Sequence, residues 1–450
     1  MGNWRAATGV KWIFLLALII GTPALAGFLR SQPRHIVQAC FVLGATMFFL
    51  APRLWAAPIA WPLWPGLARG IEVSFVDAIS IALIASTKSV RIPLSLKLAF
   101  GIYCLAVLVS TFVAYQWIPA TFYAWQLFRT VLLFIAVARV CASVEDAPVA
   151  LISGLGFGLM IEALLVIYQY VTGNPRPGGS LGHPNFIGLS LDFVVFPTVA
   201  LMLGTRRTYW PAATAGAGLI IAVLGGSRAT MGLLAIGIIL TVILSIRHRK
   251  TSRKNAFAGM LAILVIAAVP AMLWAVNRRT DAAKASSDYE RSAMKQAAKM
   301  IIADHPFGVG ANQYVLVANT GGYSQRAGVA WNEDNRAAAV HSTYYLVTAE
   351  MGFLGLVGFV ATLASIVVLG FRLLRRHVAG EHGELVPGLL ATMIVAVAHI
   401  SYEFVFMDFV LHYLFAISAG LLVAIAARSK SAARSGVARA IPSGALAQAS

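Results

Sequence analysis

The run ATMGLLAIGIILTVILSI at residues 229–246 contains no charged residue. About 20 predominantly apolar residues cross the hydrocarbon core of a bilayer as a helix, and only helices or closed barrels satisfy their backbone there. Barrel strands would alternate apolar and polar residues over about 10 positions, whereas this run is continuous. It therefore predicts a transmembrane helix.

Similar runs recur along the whole chain of 450 residues, of which 59% are hydrophobic and only 12% charged. A soluble domain carries about 25% charged residues, so a single soluble globule is excluded. We predict an all-α fold, a polytopic transmembrane helical bundle of about 12–14 spans. The predicted spans cover residues 12–29, 36–51, 71–87, 98–116, 122–140, 148–171, 186–204, 211–225, 229–246, 256–276, 343–371, 386–403 and 409–427.

The formal net charge of +18 would suggest a nucleic-acid partner in a soluble protein. In a membrane protein, basic residues instead collect in cytoplasmic loops. They cluster here in alternate loops, most densely in RHRKTSRK at 247–254. We therefore expect no nucleic acid, contacts with membrane lipids, and an outer location for the long loop at 277–342.

The spans and this loop divide the chain into four parts. Transmembrane helices occupy 1–276, the outer loop 277–342 and further transmembrane helices 343–427. A basic cytoplasmic tail at 428–450, rich in Ala, Ser and Arg, is expected to lack fixed structure.

The N-terminus permits two interpretations. PALAG at 23–27 follows an apolar stretch and resembles the A-x-A site of a cleavable signal peptide. Cleavage would leave Arg30 and Arg34 outside, against the later loops, so an uncleaved first span is favoured. An extra crossing at 55–68 is the alternative, but its three prolines favour an interfacial segment with Trp anchors.

The sequence contains no phosphate-binding loop, no H-E-x-x-H and no G-x-S-x-G. The three cysteines offer neither a disulfide framework nor metal-ligand spacing. We therefore expect no metal and no cofactor, and we expect any chemistry to occur at the outer face of the membrane.

The outer loop contains one amphipathic segment, YERSAMKQAAKMIIA at 289–303. Apolar residues recur at helical spacing beside Arg291. The helix must end near Asp304, because Pro306 disfavours helical geometry in the residue before it. The apolar stripe consists of Met294, Ala297, Ala298 and Ile301; Lys295 and Lys299 are expected to face lipid headgroups or solvent.

The span after the loop opens with AVHSTYYLVTAEMGFLGLVG at 339–358. On a helix, His341 and Tyr345 share one face. Gly352, Gly355 and Gly358 recur every three residues, a pattern that lets another helix approach closely. A lone interfacial histidine is most often a structural hydrogen-bonding residue, so His341 alone is weak evidence of chemistry.

Two arginines lie in or beside apolar runs, where a charge is costly and is a functional-site candidate. Arg228 lies in the short turn GGSRAT, where its side chain could instead reach up to headgroups. Arg129 lies inside WQLFRTVLLF, where a structural ion pair with Glu162 or Asp192 is the alternative.

The order of these motifs resembles the O-antigen ligase and O-antigen polymerase superfamily. The chain carries GSLGHPN at 179–185, GGSRATMGLLA at 225–235, the amphipathic segment, and HSTYYLVTAEMGFLG at 341–355. The family signature is His, then Asn, Ser or Gln, nine residues, Gly, two residues and Gly. It is matched by His341, Ser342, Gly352 and Gly355.

The resemblance implies glycosyl transfer in the outer leaflet of the bacterial inner membrane, with the 277–342 loop in the periplasm. Direct attack by the acceptor would invert the anomeric carbon, and no metal is needed if arginines supply the positive charge. The donor is a glycan on undecaprenyl diphosphate, and the acceptor is a hydroxyl of lipid A–core or of a second lipid-linked glycan. It implies that His341 is the catalytic base and that Arg228, Arg291 and, less firmly, Arg129 bind the diphosphate. Tyr345, Ser342, His183 and Asn185 are expected to support the site.

General chemistry agrees with this set of residues. A neutral imidazole is a suitable base for the acceptor hydroxyl, and guanidinium groups stabilise the charge that develops on a leaving diphosphate. The alternative is a transporter or flippase of lipid-linked glycans. It would place charges near the bilayer midplane and show internal repeats, and no repeat is evident in this sequence.

Overall fold

The computed structural model describes residues 8–204, 209–261 and 281–440. Within these ranges the chain is predominantly helical, with one pair of short strands. The elements are α1 (Thr8–Ser31), α2 (Pro33–Thr46), β1 (Trp55–Ala60), β2 (Gly70–Ser74), α3 (Phe75–Ser86), α4 (Leu94–Val113), α5 (Trp117–Ser143), α6 (Ala147–Val171), α7 (Pro184–Gly204), α8 (Tyr209–Gly225), α9 (Arg228–His248), α10 (252–261, where that described range ends), α11 (Asp281–Asp304), α12 (Tyr314–Thr320), α13 (Tyr323–Arg326), α14 (Glu333–Ala337), α15 (Thr343–Arg375), α16 (Gly380–His399) and α17 (Phe409–Ala440).

In the described ranges, nine helices are long and apolar enough to cross a membrane by length and composition. Each coincides with a predicted span. They are α1, α4, α5, α6, α7, α9, α15, α16 and the first part of α17. The chain is therefore a polytopic α-helical membrane protein, as predicted.

The other four predicted spans have different outcomes. Those at 71–87 and 211–225 correspond to α3 and α8, which are apolar but shorter. The one at 36–51 corresponds to α2, a helix of 14 residues. The one at 256–276 lies mostly outside the described residues.

The segment at 55–68 forms a strand and a turn, so the alternative of an extra helical crossing there is wrong. Strand β1 pairs antiparallel with β2. Trp64, expected as a lipid anchor, is buried in the protein, and its Nε1 donates to the Asn312 carbonyl over 3.1 Å. Asn312 in turn donates from Nδ2 to the Ala68 carbonyl over 2.7 Å. The hairpin is thus fastened to the connection that precedes α12.

Basic residues of the loops predicted to be cytoplasmic lie at one end of the bundle. Arg30 donates to the Ala85 carbonyl at the end of α3, and Arg428 donates to the Cys141 carbonyl near the end of α5. Lys254 forms a buried ion pair of 2.7 Å with Glu384 at the start of α16. The turn after α11 bonds to Ala349 and Glu350 near the start of α15, whereas His377, just beyond the other end of α15, contacts His248 at the basic end of the bundle.

Helix α7 lies at the centre of the bundle, where it packs against α6, α8, α9 and α16. Nearly all of its side chains are buried. Its buried carboxylate, Asp192, accepts a hydrogen bond of 2.9 Å from Nδ1 of His399 on α16. Asp192 is therefore the partner of His399, and its predicted pairing with Arg129 is wrong.

The first predicted span and the predicted amphipathic helix are present as α1 and α11, whereas the C-terminal tail departs from its predicted structure. PALAG at 23–27 lies inside α1, which runs unbroken around Pro23. The amphipathic helix is confirmed and longer than predicted, covering Asp281–Asp304. Residues 428–440 of the expected unstructured tail are helical, and 441–450 lie outside the described residues.

Candidate functional site

A break in helix α15 connects the glycine signature to the turn that follows α11. Gly352 has φ 66° and ψ −169° inside the helix, a left-handed φ that side chains other than glycine rarely adopt. A Cβ at this position would lie 2.6 Å from the carbonyl carbon of Phe307. The turn HPFGVG at 305–310 therefore docks against the helix at this point, because Gly352 leaves room for it.

Backbone hydrogen bonds hold that turn in place. The Val309 amide donates to the Ala349 carbonyl over 2.9 Å, and the Gly310 amide donates to the Glu350 carbonyl over 2.8 Å. The prediction that Gly352 admits a neighbouring helix is therefore wrong. Gly358 does so instead, since a Cβ there would lie 2.5 Å from the backbone nitrogen of Tyr103 on α4.

His341 lies just before α15 and not on it, so the predicted helical face shared with Tyr345 does not form. The helix begins at Thr343, and Ser342 is its buried N-cap residue. Thr343 donates from its backbone amide and its hydroxyl to the Glu403 carbonyl, over 3.1 and 2.8 Å. These bonds fasten the His341 segment to the connection between α16 and α17.

The Glu403 carboxylate joins three of the predicted site residues. Its Oε2 is 3.4 Å from Nδ1 of His341. Its Oε1 accepts hydrogen bonds from Nη2 of Arg291 over 3.1 Å and from Nδ2 of Asn185 over 2.9 Å. Glu403 is 1% exposed, and such a buried carboxylate requires partners of this kind. Four segments distant in sequence therefore converge on one acidic side chain.

The charges around Glu403 keep it ionised. Burial raises the pKa of its carboxyl, but the hydrogen bond and charge of His341, with the charges of Arg291 and His399, outweigh that effect and lower the pKa below its usual value. An ionised carboxylate only accepts hydrogen bonds. His341 must therefore present Nδ1–H to Glu403, and in the neutral form of the ring Nε2 then carries a free lone pair.

A cavity of about 410 Å³ opens beside these residues. It contains five of the predicted site residues, one of which is the histidine of the signature. Its lining residues are Arg176, His183, Asn185, Ser227, Arg228, Ala229, Asp288, Glu290, Arg291, Met294, Asn335 and His341.

Arg228 reaches the cavity from the first position of α9. Ser227 caps this helix, and its hydroxyl accepts from the Thr230 amide over 3.4 Å. The N-terminus of a helix carries partial positive charge and free amide groups, which favour a bound anion. The Arg228 side chain and the N-terminus of α9 therefore both contribute positive potential to the cavity.

Arg291 reaches the cavity from α11, whose apolar stripe is buried as predicted. Met294, Ala297, Ala298 and Ile301 are all at most 5% exposed. The Arg291 side chain keeps 32% of its surface exposed while it pairs with Glu403. A guanidinium has five donor hydrogens, so this pairing leaves most of its donors for a ligand.

Arg129 lies outside the cavity, in a buried ionic cluster. Its Nε donates to both Asp77 oxygens, over 3.0 and 2.9 Å, and its Nη1 is 3.3 Å from Glu72. Its Nη2 donates to the Ser74 hydroxyl over 2.9 Å. The predicted alternative partner Glu162 instead accepts from the Ser180 amide over 2.8 Å. The geometry around Arg129 is that of a structural residue.

Ser342 and Tyr345 also lie outside the cavity lining. Ser342 is 2% exposed at the N-cap of α15. Tyr345 is half-buried and packs against the hydrophobic core. Both lie close to His341 in sequence and hold the chain around it, but neither side chain lines the cavity that His341 lines.

The sequence did not indicate several residues of the site. Glu403 is foremost, and Arg176, Asp288, Glu290 and Asn335 also line the cavity. An acidic residue at the C-terminal end of the predicted span 386–403 was the available signal. Across the ranges that the structure describes, no three His, Cys, Asp or Glu side chains are grouped as metal ligands.

Residues 213–360 match the protein family described as O-Antigen ligase. This segment, about a third of the chain, is similar to an O-antigen ligase domain. The resemblance drawn from the motifs is thereby confirmed, and the domain is of a membrane glycosyltransferase-like ligase family. No curated protein matches the chain.

The O-antigen ligase domain holds Arg228, Arg291 and His341, but the site extends beyond it. His183 and Asn185 precede the matched residues, and Glu403 follows them. The site is thus completed by side chains on both flanks of the domain.

Proposed function

We propose that this protein transfers a glycan from undecaprenyl diphosphate to an acceptor hydroxyl, at the periplasmic face of the bacterial inner membrane. One observation carries this proposal. A histidine held by a buried carboxylate shares one cavity with Arg228 and Arg291. The family described as O-Antigen ligase supports the same reaction class.

His341 acts as the general base. Its Nδ1 faces Glu403, so the lone pair of Nε2 is free to take the proton from the acceptor hydroxyl. Glu403 fixes the tautomer and stabilises the imidazolium that forms. The acceptor oxygen then attacks the anomeric carbon directly, so the configuration at that carbon is inverted.

Arg228 and Arg291 stabilise the leaving diphosphate. Breaking the bond between the anomeric carbon and the phosphate oxygen leaves an electron pair on that oxygen. Guanidinium groups bind phosphate oxygens in a bidentate manner, and both arginines line the cavity. The end of α9 adds its dipole. These groups supply the positive charge without a metal or a cofactor.

The position of the cavity favours an enzyme over a transporter. The converging charged residues lie at the end of the bundle opposite to the basic loops, and not at its middle. Because basic loops are cytoplasmic, the cavity faces the periplasm. The acceptor is lipid A–core in a ligase, or a second lipid-linked glycan in a polymerase.

The test is glycan transfer by the purified full-length protein in lipid nanodiscs, with an undecaprenyl-diphosphate-linked glycan as donor. Each acceptor is supplied separately, so the product identifies ligase or polymerase. We expect His341→Ala to lose at least about 10²-fold in rate, the usual contribution of a general base. His305→Ala is the matched control, because His305 lies on the same loop but outside the cavity lining. Near wild-type turnover by His341→Ala would refute the base.

A further inference from the structure

The tautomer of His183 is fixed by the start of helix α7. Pro184 is the first residue of that helix, so His183 occupies its N-cap position. The backbone amide of Asn185 donates to Nδ1 of His183 over 3.1 Å. A backbone amide is only a donor, so Nδ1 must be the acceptor. The proton of the neutral ring is therefore on Nε2.

His341 has the opposite tautomer in the same cavity. Its Nδ1 faces the ionised Glu403, so its proton is on Nδ1 and its Nε2 is an acceptor. His183 offers an Nε2–H donor to the cavity, while His341 offers an Nε2 lone pair. Two histidines in one cavity thus have opposite hydrogen-bonding roles, each fixed by a named partner.

The surroundings of His183 favour its neutral form. Loss of contact with water lowers the pKa of the imidazole, and the charges of Arg176 and Arg291 lower it further. The charge of Glu403 acts in the opposite direction but does not prevail. The N-terminus of α7 also disfavours a cation. His183 is therefore a neutral donor in a cavity that already contains three arginines.

We propose that Nε2–H of His183 donates a hydrogen bond to the diphosphate of the lipid-linked donor. This inference rests on the proposed function. A neutral donor adds a contact to a phosphate oxygen without adding repulsion between cations. Such a preorganised donor becomes more valuable as charge develops on the leaving oxygen.

His183 keeps its proton throughout the reaction. The bond between the anomeric carbon and the phosphate oxygen breaks, and its electron pair stays on the diphosphate. The acceptor oxygen forms the new bond to carbon, and its proton moves to Nε2 of His341. A diphosphate needs no proton to leave, so His183 is a binding residue and not a general acid.

Asn185 positions both histidines. Its backbone amide fixes the His183 ring, and its side-chain Nδ2 donates to the same Glu403 that orients His341. The two contacts come from one residue at the second position of α7. The start of this helix therefore sets the spacing between the donor of one ring and the acceptor of the other.

Two substitutions separate the donor from the helix cap. Asn is a favoured N-cap residue, so His183→Asn keeps an acceptor for the Asn185 amide but loses the Nε2–H. His183→Gln extends an amide N–H towards the position of Nε2. We expect His183→Asn to retain the thermal stability of the wild type and to lose about 10²-fold in transfer rate, as when one such donor is removed. We expect His183→Gln to recover part of that loss.

The pH profile distinguishes donation from proton transfer. Because His183 does not exchange its proton, the pH–rate profile of His183→Asn should keep the shape of the wild-type profile at a lower rate. A transfer rate equal to the wild type would overturn the proposal. The loss of one limb of the profile would overturn it as well, since His183 would then be an acid or base.

A binding measurement separates this inference from the proposed function. Undecaprenyl diphosphate without a glycan is titrated into nanodiscs that hold the wild type or His183→Asn. We expect Kd to rise by roughly tenfold or more in the variant, since a hydrogen bond to a charged group is lost. Equal Kd values would contradict the role of His183, whether or not the protein transfers glycan. Failure of the wild type to transfer any glycan would instead contradict the proposed function.

Discussion

Glu403 is 62 residues beyond His341 in the chain, yet its Oε2 atom lies 3.4 Å from Nδ1 of that histidine. The same carboxylate accepts hydrogen bonds from Arg291 and Asn185. A buried acceptor shared in this way links the proposed base to one of the proposed diphosphate-binding residues. It also ties both of them to the start of α7.

The first prediction concerns the charge of Glu403. Glu403→Gln keeps the shape of the side chain but removes the charge that stabilises an imidazolium at His341. We expect the transfer rate to fall by about 10²-fold or more. The acid limb of the pH–rate profile should also move to lower pH, because the negative charge that favours protonation of the ring is gone.

The measurement is the rate of glycan transfer between pH 5 and 9, with thermal unfolding as a check on the fold. An unchanged limb at an unchanged rate would contradict the link between Glu403 and His341.

The second prediction concerns the two cavity arginines. If Arg228 and Arg291 bind the diphosphate through paired N–H groups, Arg228→Lys and Arg291→Lys should each fail to restore activity, because an ammonium keeps the charge but loses the fork. If they only reached towards headgroups, lysine would serve nearly as well. We expect each variant to lose at least about tenfold in kcat/KM.

Lys299→Arg is the matched control, since Lys299 is exposed on the same helix as Arg291 and outside the cavity lining. It should transfer glycan at the wild-type rate. Full activity in both arginine variants would exclude the bidentate role, even though both side chains line the cavity.

The third prediction separates Arg129 from those two residues. Arg129→Ala leaves the buried Asp77 and the partly exposed Glu72 beside one another without their cation. Removing one partner of a buried ion pair is destabilising by about 3–5 kcal/mol. We therefore expect a lower thermal midpoint and lower yield, with the transfer rate per folded molecule unchanged.

The comparison uses Arg129→Ala and Arg228→Ala in the same detergent. Arg228→Ala should behave in the opposite way, with normal stability and little activity. A stable Arg129→Ala that fails to bind undecaprenyl diphosphate would restore Arg129 to the substrate site.

The sequence predicted the features that depend on local patterns. The stripe on α11 follows from helical periodicity, and the roles expected of Arg228, Arg291 and His341 follow from short motifs. Glu403 was missed because its partners are distant in sequence; Asn185, for example, lies 218 residues away. Its contacts depend on how α7, α11 and α16 pack together, which no local pattern contains.

The partners of Arg129 were mistaken for a related reason. Residues 71–87 were expected to form one continuous span, but the structure divides them into β2 and α3. This division places Glu72 on the hairpin and Asp77 in the first turn of α3, both beside α5. An apolar run such as 71–87 predicts that the segment is buried. It does not predict that a short strand will replace the first turns of the expected helix.

The last prediction concerns Gly352. Gly352→Ala introduces a Cβ that would lie 2.6 Å from the carbonyl carbon of Phe307, at a φ of 66° that alanine rarely adopts. The backbone conformation alone, with φ 66° and ψ −169°, costs about 1–3 kcal/mol in a residue other than glycine, and the contact forces the turn at 305–310 away from α15. That turn directly follows α11, so its displacement should move Arg291 away from Glu403.

Gly232→Ala is the control, because a Cβ there meets no atom within 4 Å and the position is also inside a transmembrane helix. We expect Gly352→Ala to lose glycan transfer and to bind undecaprenyl diphosphate more weakly, while Gly232→Ala matches the wild type in both. If Gly352→Ala transferred glycan as fast as Gly232→Ala, the claim that the docked turn at 305–310 positions Arg291 would be contradicted.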